Sequence, residues 1–131
     1  MKSKILIIDD EKNVRISLKN LLKDYGYQIF LAEKLVEAER ILLAEEINLV
    51  ILDIVLNKED GLNWLRKMYG RKKYCPTIVI SGNSNAKIIK EAKEIGAIGI
   101  LEKPFSGEKV LHMIKSILES TEEQSTKNIN P

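Results

Sequence analysis

Leu49-Val50-Ile51-Leu52-Asp53 decides how the rest of the chain is read. An unbroken run of aliphatic and β-branched residues leads straight into a carboxylate. With no polar alternation, such a run is the pattern of a strand covered on both faces, as in a parallel sheet. An ionised side chain at the edge of a core costs free energy unless it is paired, so packing alone does not account for Asp53. It either caps the strand and opens a turn or belongs to a site. The choice rests on what the other strand ends carry.

Upstream, Ile5 to Ile8 is a compact apolar run ending in Asp9-Asp10-Glu11. Val14, Leu18, Leu21, Leu22 and Tyr25 then recur at three- and four-residue steps, one helical stripe closed by Gly26. Tyr27 to Ala32 reads as a second strand, and Leu35, Ala38, Ile41 and Leu42 as a second helix ending near Glu46. Downstream, Asn57 to Gly61 reads as a polar loop with an Asp60-Gly61 turn, and Leu62, Leu65 and Met68 as a third helix ending near Gly70. Arg71-Lys72-Lys73 sits in the next loop as a solvated connection. Thr77 to Ile80 is a strand ending in Ser81-Gly82. Ile88, Ile89, Ala92 and Ile95 give a helix closed by Gly96. Ala97 to Leu101 is a last strand, ending at Glu102-Lys103-Pro104, and Val110, Ile114, Ile117 and Leu118 mark a last helix.

Strands alternating with helices imply an α/β fold, a five-stranded parallel sheet with helices on both faces. At 131 residues the chain is one domain with room for a full core. Residues 1–119 read as that domain and 120–131 as a polar tail or linker, since no apolar stripe continues there. A net charge of +2 writes no strong attraction to nucleic acid into these residues. One cysteine, Cys75, excludes an intramolecular disulfide and reads as a small apolar residue. The longest apolar stretch, Ile47 to Leu56, contains Asn48 and Asp53 and is too short to span a bilayer. Met1-Lys2-Ser3-Lys4 leads into too short an apolar run for a signal peptide, so a cytoplasmic location is expected.

In a parallel sheet with helices on both faces, a site lies beyond the carboxyl ends of the strands, where the strand order reverses. That rule collects Asp9, Asp10, Asp53, Ser81 and Lys103 on one rim. In the order 2-1-3-4-5 the first and third strands are neighbours there, so Asp10 faces Asp53. Crowded carboxylates raise one another's pKa. A hard divalent cation with oxygen ligands relieves that, and Mg2+ suits one or two carboxylates plus water. A lysine supplies a point charge for a phosphate oxygen, a serine a neutral donor, and an aspartate an adequate nucleophile for phosphoryl transfer.

These segments resemble the receiver domain of two-component response regulators, a flavodoxin-like phosphoacceptor fold. Ile5-Leu6-Ile7-Ile8-Asp9-Asp10-Glu11 resembles its acidic strand end, and Leu52-Asp53-Ile54-Val55-Leu56 with Asp60-Gly61-Leu62 its phosphoacceptor segment. Ile78-Val79-Ile80-Ser81-Gly82 resembles the hydroxyl-bearing strand end, and Gly96-Ala97 with Leu101-Glu102-Lys103-Pro104-Phe105 the lysine segment. The match runs from residue 4 to about 119.

The resemblance implies that Asp53 takes a phosphoryl group from a phosphohistidine on a sensor histidine kinase or histidine phosphotransfer protein. It implies Mg2+ held by Asp10, Asp53 and the backbone carbonyl of Val55, with Asp9 acting through water. Ser81 and Lys103 would grip the phosphoryl oxygens, and the Lys103–Pro104 peptide would be cis. The fourth-helix, fifth-strand, fifth-helix face would be remodelled for a partner or a homodimer. A C-terminal output domain binding DNA would follow in a transcription regulator, and the Ser81 to Phe105 segment looks somewhat like receivers of the nitrogen-regulation family. Such a domain catalyses only its own phosphorylation and dephosphorylation.

Four positions depart from the family pattern. Asn57 stands where relatives carry Pro, which implies a less rigid loop beside Asp53. Ile100 replaces an aromatic ring, so the switch is expected to work through Ser81, with Ile100 shifting packing only. Val55 and Asn83 are poor at orienting water, which implies slow loss of the phosphoryl group. His112 has no acidic or serine partner at a useful spacing and reads as surface; Trp64 reads as packing. The alternative function is a Mg2+-dependent aspartyl phosphatase or phosphotransferase. That chemistry needs an acid two residues after the nucleophile, where Val55 stands, and an insertion for a cap. No nucleotide-binding glycine motif occurs.

Overall fold

The computed structural model describes residues 2–56, 59–71, 75–82 and 86–129, with side chains through residue 120. Its elements run β1 (Lys4–Ile8), α1 (Lys12–Lys23), β2 (Gln28–Ala32), α2 (Leu35–Ala44), β3 (Leu49–Asp53), β4 (Val55–Leu56), β5 (Glu59–Asp60), α3 (Gly61–Gly70), β6 (Thr77–Ser81), α4 (Ala86–Ile95), β7 (Gly99–Glu102) and α5 (Gly107–Ile129). Five strands form one parallel sheet in the order β2-β1-β3-β6-β7. Apart from the short β4–β5 ribbon, that is the expected order 2-1-3-4-5.

The unbroken apolar strands are explained by the two cores that the sheet separates. Alternate residues of a strand point to opposite faces. Ile5, Ile7, Leu49, Ile51, Ile78, Ile80 and Leu101 pack with Leu18 and Leu22 of α1 and with Val110, Leu111, Ile114, Ile117 and Leu118 of α5. Leu6, Ile8, Val50, Leu52 and Val79 pack on the other face with Ala38 of α2, Trp64, Leu65 and Met68 of α3, and Ala92 of α4. Each fully buried Ile or Leu contributes roughly 1.5–3 kcal/mol, so neither face of β3 tolerates a polar residue before Asp53.

The segment after β3 differs from the polar loop expected over Asn57 to Gly61. Val55 pairs with Asp60 and Leu56 with Glu59 in an antiparallel ribbon. Asn57 and Lys58 lie outside the described residues, and with them the expectation of a less rigid loop. Asp60 is the N-cap of α3, its Oδ1 accepting from the Asn63 amide at 3.0 Å, and Gly61 is already helical. Gly61 has a second reason to be glycine: a Cβ there would lie 2.9 Å from the Ile54 Cα and 3.1 Å from its carbonyl oxygen. Glu59 reaches back to α2, whose Leu35 amide donates to its Oε1 at 3.4 Å.

The last strand begins later than expected, at Gly99, and α4 closes at Gly96 with φ +129°. Gly96 lies against the Tyr69 ring, 2.6 Å from where a Cβ would sit. Among the described side chains, those of α5 in the core run to Leu118, and the helical backbone continues to Ile129. Among the described residues no helix is long and apolar enough to cross a membrane.

Candidate phosphoacceptor site

Register sets the site before any side chain is considered. Ile8 pairs with Leu52, so Asp9, just past the end of β1, and Asp53, the last residue of β3, are neighbours. Asp53 pairs with Ile80 and Ser81 with Glu102, which puts Ser81 and Lys103 one step further along the same rim. Asp9, Asp53 and Lys103 each stand two residues beyond a member of the α1–α5 core, namely Ile7, Ile51 and Leu101. The pleat therefore turns all three the same way.

Lys103 Nζ lies 3.0 Å from Asp53 Oδ2, 3.7 Å from Asp9 Oδ2 and 3.5 Å from Glu11 Oε1. The other Asp53 oxygen accepts from the Val55 amide at 2.9 Å. Asp9 Oδ1 accepts from the Glu11 amide at 2.9 Å, and Arg15 Nη1 donates to the Asp9 carbonyl at 2.7 Å. Asp9, Asp53 and Ser81 are buried, and Asp10 is half-buried. The Lys103 amide donates to the Ser81 carbonyl at 2.9 Å, which ties the ends of β6 and β7 together. The Lys103–Pro104 peptide is cis, as the resemblance implies.

The electrostatics follow from this crowding. Burial, with the nearby Asp53 charge and against the hydrogen bond from Glu11, pushes the Asp9 carboxyl up to about 6. For Lys103, burial opposes the charged form. The hydrogen bond to Asp53 and the charges of Asp53, Asp9 and Glu11 more than offset it, and the ammonium is held above its ordinary range. Carboxylate oxygens of Asp9, Asp10 and Asp53 lie within 4.8 Å of one another. Asp9 Oδ2 is buried and has no hydrogen-bond donor. A hard cation with its water shell fits such a donor set: all oxygens, excess negative charge, and one buried oxygen that receives no hydrogen bond.

The remaining sequence expectations are placed as follows. Ile100 is half-buried on β7 against the α2–α4 core. The Val55 side chain is 59% exposed. His112 is on the surface. Trp64 is core, but its indole also donates to Glu39 Oε1 at 2.7 Å. Cys75 is buried, its Sγ 3.4 Å from the Ile47 carbonyl oxygen, and burial pushes the thiol up to about 12. Asn83 lies outside the described residues, as do Lys72 and Lys73. Sequence reasoning missed Glu11 and Arg15 at the site. Glu11 adjoins the acid pair and could have been suspected; Arg15 carries no signal, because its contact is to a backbone carbonyl.

Residues 5–115 match the sequence model of the response regulator receiver domain. The chain belongs to the response regulator receiver domain family. It is 32% identical over 118 residues to sporulation initiation phosphotransferase F of Bacillus subtilis, covering 90% of this chain and 95% of that protein. It is 34% identical over 119 residues to a putative NtrX-like response regulator of Rickettsia bellii, covering 89% of this chain but 25% of that protein. Among solved structures, a CheY-like receiver domain protein of Methanospirillum hungatei superposes with a TM-score of 0.88 at 26% identity, covering 95% of this chain and 99% of that one. NtrX of Brucella abortus superposes with a TM-score of 0.88 at 27% identity, covering all of this chain and 30% of that one. This receiver thus spans about a quarter of the NtrX-like relative and nearly the whole of the sporulation relative. Receiver domains are phosphoacceptor switches that interact with histidine kinases or phosphotransfer proteins, and they generally bind Mg2+ at an acidic pocket.

Proposed function

We propose that Asp53 of this receiver is the phosphoacceptor. The observation that carries the reading is the Lys103 ammonium 3.0 Å from a buried Asp53 carboxylate, beside two further acids from the adjacent strand end. An Asp53 carboxylate oxygen attacks the phosphorus of a phosphohistidine on a sensor kinase or phosphotransfer protein. The P–N bond breaks and the imidazole leaves. Asp10, Asp53 and the Val55 carbonyl would hold Mg2+, with Asp9 acting through water. When bound, the ion cancels carboxylate charge and charge on the transferring oxygens. Lys103 stays paired to the phosphoryl oxygens, and Ser81, buried at the end of β6, supplies a hydroxyl donor.

Phosphorylation then biases a two-state equilibrium by these new contacts. Lys103 is tied through its amide to Ser81, so a shift at one strand end is shared by the next. The proposed readout is the face of α4, β7 and α5, used by a second copy of this chain or by a DNA-binding output domain of a longer regulator. Ile100 repacks within that face and carries no signal of its own. Location in the cytoplasm, with the kinase's catalytic side, fits this role. An exposed, apolar Val55 two residues after Asp53 speaks against a phosphatase and for slow loss of the phosphoryl group. Incubation with Mg2+ and phosphoramidate tests the reading. Wild type should take up one phosphoryl group and hold it without turnover, whereas continuous release of phosphate would mean an enzyme.

A further inference from the structure

Glu11 is the N-cap residue of α1, yet its side chain makes no capping hydrogen bond. N-cap positions favour Ser, Thr, Asp or Asn because a short side chain reaches the free amides of the first turn. Here the carboxylate goes elsewhere. It crosses the mouth of the site to Lys103 Nζ, 3.5 Å away and 92 residues on in the chain. Its backbone is fixed on both sides: its amide donates to Asp9 Oδ1 at 2.9 Å, and its carbonyl accepts from the Arg15 amide at 3.2 Å. The side chain itself is 63% exposed. Lys103, by contrast, is largely covered and already has Asp53 and Asp9 as partners. Glu11 is therefore not needed to neutralise the lysine. It adds a fourth carboxylate at the solvent side of the pocket.

We infer that Glu11 is a specificity-determining residue, a negative gate anchored by Lys103 that discriminates among phosphodonors by their charge. The inference rests on Asp53 being the phosphoacceptor. A small acyl phosphate approaches as a dianion. Asp53 attacks its phosphorus, the P–O bond to the acyl group breaks, and the carboxylate leaves. A P–N donor protonated on nitrogen approaches with one net negative charge and loses its amine. The exposed Glu11 charge repels the first about twice as strongly as the second. Glu11 thus favours N-protonated P–N donors over free acyl phosphates.

The test compares self-phosphorylation rates of the whole chain with acetyl phosphate and with phosphoramidate, for wild type, Glu11→Gln and Glu11→Asp. Each protein is assayed above its own Mg2+ saturation point. At low ionic strength Glu11→Gln should gain about five-fold with acetyl phosphate and about two-fold with phosphoramidate, and the gain should fade toward 1 M salt as the Debye length shrinks to about 3 Å. Glu11→Asp keeps the charge and should keep the wild-type preference. A purely structural role would move both donors equally and would not depend on salt. Equal gains, a salt-independent gain, or no gain in Glu11→Gln would overturn the inference. Failure of wild type to be labelled by either donor would instead remove the phosphoacceptor reading beneath it.

Discussion

Replacing Asp9 with Asn should stabilise the metal-free protein. The Asp9 carboxyl is pushed from an ordinary value of 3.8 up to about 6, chiefly by burial and then by the Asp53 charge. Between those two values the folded protein binds more protons than the unfolded chain. Stability therefore falls as pH rises through that window, and the loss is complete above it. The gap between those two values corresponds to about 3 kcal/mol at neutral pH, an upper figure that solvent screening reduces. Asn keeps an acceptor for the Glu11 amide while removing the charge, although Lys103 loses its partner at 3.7 Å. A net gain of about 2 kcal/mol near pH 7 is the expected result, shrinking toward zero below about pH 3, where Asp9 is neutral in the folded and the unfolded chain alike. Urea unfolding in the presence of a chelator, run on both proteins across that range, measures the difference directly, and contributions from other groups cancel between them. Mg2+ should then stabilise wild type more than the Asn variant, since a ligand stabilises according to its affinity for the folded state. An Asn variant less stable than wild type at neutral pH, or a difference that does not close in acid, would refute the reasoning.

Three further outcomes are expected. Gly61→Ala should lose about 1–3 kcal/mol in urea unfolding, because its Cβ would meet Ile54 backbone that cannot rotate away. Cys75, with its thiol pushed up to about 12, should resist alkylation at pH 8, where on the order of one molecule in ten thousand carries a thiolate, and should react at once when unfolded. Ile100→Ala should retain the phosphorylation-dependent shape change, followed by small-angle scattering or dimerisation with a beryllofluoride mimic; complete loss of the response would contradict a switch that runs through Ser81.

The sequence exposed the sheet because both of its faces are apolar. A strand such as Leu49 to Leu52, flanked by helices with clean stripes, admits little besides a two-sided parallel sheet. The site was legible for a related reason: polar groups at strand ends are costly, and Asp9, Asp53 and Lys103 keep the strand's alternation one step past the core. Where reading failed, side chains had been assigned by local chemistry alone. Asp60-Gly61 looked like a turn, but Asp60 caps a helix and Gly61 clears the backbone of Ile54. The β4–β5 ribbon is two residues to a side, too short for any alternation to register. Glu39 beneath the Trp64 indole and Glu11 beside Lys103 depend on contacts between elements far apart in the chain, which no periodicity encodes. The extension of α5 beyond its apolar stripe lies in a polar segment, where no periodicity marks a helix in the sequence.

The most direct test of the account is the mass of the intact chain after treatment with phosphoramidate and Mg2+. Wild type should gain one phosphoryl group, mapped to Asp53 and lost on treatment with hydroxylamine, while Asp53→Asn gains none. Equal uptake by Asp53→Asn, or a phosphoryl group mapped to another residue of wild type, would contradict the account.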